Sequence, residues 1–150
     1  MTTSGRAFLD TNILLRRMIE QAPLHQEAKQ LVQDQYKAHV ELWISRQVIR
    51  EFIVQVTRPQ SFMRPITMEE LDFQLRTMRT VFNIADETEA VTTQLLALMK
   101  AVPTGGKQVH DANVVATMLA YGIDTLLTTN VEDMKRFAGR ITILSLEDVK

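Results

Sequence analysis

Ala7-Phe8-Leu9-Asp10-Thr11-Asn12-Ile13-Leu14-Leu15 is the stretch from which the rest of the chain can be read. A short apolar run ends in a carboxylate, and small polar groups then lead at once into a second apolar run. Such a run, closed by polar residues and followed by a helical pattern, reads as a buried strand that turns into a helix. Asp10 then stands at the carboxyl edge of an α/β sheet, where open sheets of this class place their ligands. Burying its charge is costly without a compensating partner.

Further strand candidates are Val40–Ile44, Val81–Ile84, Thr125–Thr128 and Ile141–Leu144, besides Arg6–Leu9 itself. They alternate with helical patterns, which points to βαβ units, a mainly parallel sheet of about five strands, and an α/β domain with helices around it. Met68, Leu71, Leu75, Met78 and Phe82 recur at helical spacing behind a Thr67…Glu70 capping box. Val91, Leu95, Leu98 and Val102 do so behind Asp86…Glu89. Both stripes are read as core, and the two helices are expected to pack as an antiparallel pair. Val109, Ala112, Ala116 and Leu119 form a third stripe, small enough for close packing on the sheet. The segments Arg58–Pro65 and Pro103–Gly106 read as loops.

A length of 150 residues suits one domain spanning 1–150, and 45% hydrophobic with 23% charged content is that of an ordinary globular chain. The absence of cysteine excludes disulfides, a thiolate nucleophile and Cys-ligated zinc. No apolar run approaches membrane-spanning length and the first residues lack a signal-peptide core, so the expectation is a cytoplasmic protein with no membrane partner. The formal net charge of -1 neither supports nor excludes a nucleic-acid substrate, because carboxylates gathered at one place leave a mildly basic surface elsewhere.

Three further places offer acidic or amide oxygens at element junctions. Glu51 lies on the rim of the apolar arc of the helix formed by Val48, Ile49, Phe52, Ile53 and Val56. Asp111 falls in the first helical turn after Gly105-Gly106, where the helix dipole favours an anion by roughly 0.3–1 kcal/mol. Leu126-Leu127-Thr128-Thr129-Asn130 repeats the pattern of a strand ending in small polar groups, with Asp133 after it. Each has a plain structural explanation: a solvated helix Glu, a helix-start Asp, and an Asn130 cap completed by Asp133. What those explanations leave out is the recurrence of the pattern. Together these oxygens suggest a pocket for a hard divalent cation. His110 reads as packing or surface contact, and His25 and His39 lack zinc spacing. Lys107 after Gly105-Gly106 lacks the remainder of a phosphate-loop motif.

Phe8-Leu9-Asp10-Thr11-Asn12-Ile13-Leu14, Arg50-Glu51-Phe52, Val109-His110-Asp111-Ala112 and Leu127-Thr128-Thr129-Asn130 with Asp133 resemble, in order, the motifs of the PIN domain family and in particular its VapC-like toxin ribonucleases. The resemblance spans residues 6 to about 144. It implies a three-layer α/β/α domain with Mg²⁺ or Mn²⁺ held by carboxylates and an endoribonuclease activity. Position by position, Asp10, Glu51 and Asp111 match the family's metal-binding acids, and Thr11, Asn12 and Thr129 are supporting residues. The family's fourth position, often Asp, is Asn130 here. Three alternatives follow: Asp133 substitutes, Asn130 ligates through its amide oxygen or positions water, or a single metal binds. Arg46, Arg50, Lys107 and Lys135 are candidates for holding RNA phosphates. A cognate antitoxin and a homodimer are the partners that the resemblance implies. Two rivals stand beside this reading. A haloacid-dehalogenase-like phosphatase also begins on a strand-end Asp but needs an acid where Asn12 stands, and a catalytically silent PIN-like module would bind RNA or protein without cutting.

Overall fold

The structure is a computed structural model that describes residues 5–146. Five strands form one parallel sheet: β1 (Arg6–Leu9), β2 (Glu41–Ser45), β3 (Asn83–Ala85), β4 (Thr125–Thr128) and β5 (Thr142–Ser145), in the spatial order β3-β2-β1-β4-β5. Seven α-helices connect them among the described residues: α1 (Thr11–Met18), α2 (His25–Lys37), α3 (Arg46–Val56), α4 (Met68–Val81), α5 (Glu89–Ala101), α6 (Gln108–Tyr121) and the single turn α7 (Val131–Met134). A 3-10 turn, Lys135–Phe137, follows α7.

β1 and β4 account for the shape of the core. Ala7, Phe8 and Leu9 are wholly buried, as are Leu126, Leu127 and Thr128. Consecutive strand residues point to opposite faces, so burial of every one of them means that both faces are covered. The chain runs outward from β1 to β2 and β3, then returns past β1 to β4 and β5. The direction of winding therefore reverses between β1 and β4, and a sheet of this kind opens a crevice beyond the carboxyl ends of those two strands. Asp10 follows β1 directly at that place.

The predicted Thr67…Glu70 capping box is present in full at the start of α4. Leu71, Met78 and Phe82 are buried as expected, but Met68, in the first turn, is 75% exposed and does not belong to the core. The expected box at Asp86…Glu89 is not formed. Thr88 is the N-cap of α5 without a side-chain cap bond, while Asp86 pairs with Arg46 at 2.9 Å. The expected pairing of α4 with α5 also differs from the structure, in which α5 packs along α6 and α1 along α2 and α3. The α5–α6 connection is short, so those two helices form a hairpin. Between Ala112 and Met118 only Asn113 is not buried, which makes the middle of α6 an interior helix and not a one-sided one.

α6 ends on Gly122, whose φ of +67° places it in the left-handed region and whose N–H returns to the carbonyls of Met118 and Leu119. A Cβ there would meet Arg6 Nη1 at an ordinary 3.5 Å. Gly122→Ala is therefore expected to lower stability through the backbone alone, by about 1 kcal/mol, as read from the urea midpoint with an unchanged slope. Among the described residues, no helix is long and apolar enough to cross a membrane.

Candidate active site at the β1–β4 crevice

Asp10 is both the last residue before α1 and its N-cap. Its Oδ1 accepts the Thr11 backbone N–H at 2.9 Å. Its Oδ2 accepts the Thr128 hydroxyl at 2.9 Å and the Asn12 amide at 3.4 Å. Asp10 as a whole is 7% exposed. Burial pushes its pKa up, against the lowering effect of the Thr128, Thr11 and Asn12 hydrogen bonds, while the Glu51 charge pushes the same way as burial.

The loop after β4 is built to meet it. The carbonyl of Leu127 accepts the Asp10 N–H at 3.0 Å. Asn12 Oδ1 accepts the Thr129 N–H at 2.9 Å, and the Thr128 hydroxyl oxygen accepts the Asn130 N–H at 2.8 Å. Asn130 is the N-cap of α7 but its side chain makes no cap bond, and Asp133 does not complete a box around it.

Glu51, on α3, turns toward α1: its Oε1 accepts the Thr11 hydroxyl at 2.5 Å, and its Oε2 accepts the Gln47 amide at 3.1 Å. Asp111, in the first turn of α6, is half-buried, with its pKa pushed up to about 6. Burial is the largest cause, followed by the charges of Asp10, Asp133 and Glu51; Arg136 opposes them. Charges act appreciably only over short range in salt water, so four acids from four different elements share one neighbourhood.

As the side chains stand, no three acidic or imidazole groups among the described residues are close enough to ligate one ion together. The donors are nevertheless all oxygen and mutually repelling. That suits a cation such as Mg²⁺, which is usually held by one or two carboxylates, keeps several waters and takes substrate phosphate oxygens as further ligands. The residues fit a hydrated hard cation, and they do not form a closed protein cage.

The other expected residues are spread around this centre. Thr129 takes part through its backbone N–H. Arg46 is tied to Asp86, and Lys135 is tied to Glu132 at 2.5 Å. Arg50 and Lys107 are exposed. His110 is exposed and enters only through its carbonyl, which accepts from Gln47 at 2.9 Å. His25 bonds the Arg16 carbonyl through Nδ1 at 2.7 Å, away from the acids. Thr128, Gln47 and Arg136 were not singled out from the sequence. Thr128 and Gln47 left a signal there: Thr128 extends the repeated strand ending, and Gln47 lies four residues before Glu51 on the same helix face. Asn12 hydrogen-bonds Asp10 and offers no acid to a leaving group, which disfavours the phosphatase rival.

The PIN domain model matches residues 7–140. No curated protein sequence matches the chain significantly. Among solved structures, the chain is similar to VapBC2 from Rickettsia felis bound to a DNA fragment from its promoter, with TM-score 0.68, 18% identity, and coverage of 93% of this chain and 97% of that one. It is similar to a toxin–antitoxin complex from Klebsiella pneumoniae with TM-score 0.65, 22% identity and coverage of 93% and 97%. It is also similar to Mycobacterium tuberculosis VapC20, a sarcin–ricin loop cleaving toxin, with TM-score 0.58, 16% identity and coverage of 80% and 86%. With the family's model covering most of the chain, including strands β1 to β4 from residue 7 and the crevice residues from Asp10 to Asp133, the chain belongs to the PIN domain family.

Proposed function

We propose that this protein is a Mg²⁺- or Mn²⁺-dependent endoribonuclease and the toxin half of a toxin–antitoxin pair. The observation that carries the reading is the gathering of Asp10, Glu51, Asp111 and Asp133 at the switch-point crevice, with Asp111 pushed up to about 6 by burial and by its acidic neighbours. Acids perturbed by burial and by one another in a crevice mark a candidate functional site. Analogy with a toxin that cleaves the sarcin–ricin loop, and with solved toxin–antitoxin complexes, supports RNA as substrate and an antitoxin as partner.

In this mechanism Asp10 and Asp111 would be the principal holders of the cation. When bound, a hard divalent cation supplies positive charge to the scissile phosphate and makes water a better nucleophile at neutral pH. Thr128, Asn12 and the Thr11 N–H keep Asp10 in one orientation. Glu51 either shares in holding the cation or takes the proton of the attacking water. Asp133, or the Asn130 amide oxygen, would be the residue to help hold a second cation. Arg50 and Lys107 have no ion-pair partner among the described residues, which suits them to RNA phosphates; the charge of Arg136 acts on Asp111. Arg46 and Lys135 reach phosphate by exchanging exposed ion pairs, which are worth only about 0–1 kcal/mol.

For the partner, an open groove of about 730 Å³ lies between the end of α1 and α4, where Met18, Phe62 and Phe73 alternate with the charged Glu20, Arg64 and Glu69. An amphipathic helix or extended segment of the antitoxin, with charged as well as apolar side chains, fits such a groove. The proposal includes a homodimer as the working unit.

The test is incubation of the full chain with structured and unstructured RNA, with Mg²⁺, with Mn²⁺ and with EDTA. Discrete cleavage products that appear with either metal and vanish with EDTA are expected. Metal binding without cleavage of any RNA would instead favour the silent PIN-like module, and cleavage of DNA alone would overturn the substrate.

A further inference from the structure

Gln47 is 2% exposed, and it sits on α3 next to Val48, on the helix that also carries Phe52, both wholly buried. An apolar side chain of the same length would be the cheaper occupant unless every polar atom of the amide were satisfied. All of them are. Nε2 donates to Glu51 Oε2 at 3.1 Å and to the His110 carbonyl at 2.9 Å. Oε1 accepts the Asn113 amide at 2.8 Å, and the same Asn113 nitrogen donates to Glu87 at 2.8 Å. The side-chain amide therefore has one permitted orientation, set by two contacts on α6, and in that orientation one hydrogen is left for Glu51.

We propose that Gln47 is a positioning residue that, anchored by Asn113 and the His110 carbonyl, fixes the Glu51 carboxylate for the cation held at the Asp10–Asp111 crevice; this rests on the metal-dependent reading above. Thr11 grips the other carboxylate oxygen, so Glu51 is held at both ends by different elements. A carboxylate offers about four lone-pair sites and these two bonds occupy two of them, so acceptor capacity remains on each oxygen. The same contacts place α6, and with it Asp111, relative to α3. Gln47 thus aligns two of the acids at once. Groups that orient metal-facing carboxylates without touching the metal typically change affinity 10–100-fold when removed.

The experiment compares wild type, Gln47→Met and Val48→Ala by Mn²⁺ calorimetry, by melting without metal, and by single-turnover RNA cleavage. Val48→Ala removes buried volume from the same helix without touching the polar chain, so it measures what a purely structural defect does. The expected result is a rise of about 10-fold or more in the Mn²⁺ dissociation constant for Gln47→Met, with the maximal single-turnover rate reduced and the enzyme concentration for half-maximal rate unchanged, while Val48→Ala lowers the metal-free melting midpoint and leaves the Mn²⁺ constant where it was. If Gln47→Met does not fold, Asn113→Ala decides, because it removes the anchor and leaves Gln47 in place; a several-fold weaker Mn²⁺ affinity is expected. Wild-type Mn²⁺ affinity in Gln47→Met, or in Asn113→Ala where that variant decides, overturns the role of Gln47 and leaves the nuclease reading standing. A wild-type protein that binds no Mn²⁺ overturns the reading itself, and the wild-type titration alone reveals it.

Discussion

Asp111→Asn is expected to remove metal-dependent cleavage, by about 100-fold or more, while raising the melting midpoint of the metal-free protein. The two effects have one cause. Asp111 stands half-buried among Asp10, Asp133 and Glu51, and its pKa is pushed up to about 6. In the unfolded chain the same group ionises near 3.9. The folded state therefore holds a proton between about pH 4 and pH 6 that the unfolded state has lost, and stability from this group falls as pH rises through that window. Above it the group is ionised in both states, and the folded state bears the full repulsion. Asn keeps the shape and removes the charge. The gain is about 2 °C in the midpoint, kept small because solvent screens a half-exposed group. Melting both proteins in EDTA at about pH 4.5 and at about pH 7.5 checks the sign: the difference should be small at the lower pH and full at the higher. Adding Mn²⁺ should raise the wild-type midpoint by mass action on the folded state and the variant's far less. A variant that is less stable than wild type at the higher pH in EDTA would show that Asp111 is not crowded by other acids.

The parts of this fold that were legible in the sequence are those set by uniform apolar runs. β1 and β4 match their expected bounds, Arg6–Leu9 and Thr125–Thr128. Both are buried on two faces, so every residue announces the strand. β2 and β5 lie one residue later than expected, and β3 begins at Asn83 because α4 continues through Val81. Helix pairing was less legible. An amphipathic stripe shows that a helix has a face to bury but not what it is buried against, so α4 and α5 looked like partners although α6 covers α5. The buried middle of α6 was hidden for a related reason, since its Val114, Val115 and Thr117 fall outside the stripe that periodicity picks out.

The site shows the same division. Asp10, Glu51 and Asp111 stand in motifs, whereas the residues that orient them depend on register and path. The parallel pairing of Leu9 with Leu127 brings the next residues, Asp10 and Thr128, level with one another, so the hydroxyl that binds Asp10 comes from Thr128. Thr129, expected in a supporting role, contributes its N–H to Asn12. That one-residue difference is invisible until the strands are aligned. Arg136 was beyond reach for another reason: its position near Asp111 is set by the tight path of α7 and the turn after it, which no periodicity announces.

Phe52→Ala should destabilise the protein by about 3–5 kcal/mol, the usual range for emptying a buried aromatic site. Phe52 is wholly buried and follows Glu51 directly on α3. The expected fall in melting midpoint is roughly 10 °C. Because α3 packs on α1, and because Thr11 of α1 and Gln47 of α3 both hold Glu51, a cavity beneath α3 also loosens the acid at the crevice. Two outcomes can therefore be told apart. If the variant refolds with Mn²⁺ and recovers cleavage to within a few-fold, packing and site are separable, and α3 is only a scaffold. If saturating Mn²⁺ restores the folded population while cleavage stays low, the exact seat of α3 sets the carboxylate geometry. The second outcome is expected for a cavity of this size, much larger than the one left by Val48→Ala, because Glu51 is held by hydrogen bonds from two different helices and a shift of α3 large enough to fill the space of a lost aromatic ring breaks one of them. Ile53→Ala, at a half-buried position on the same helix, is the matched control and should lose less stability and keep its metal-saturated activity.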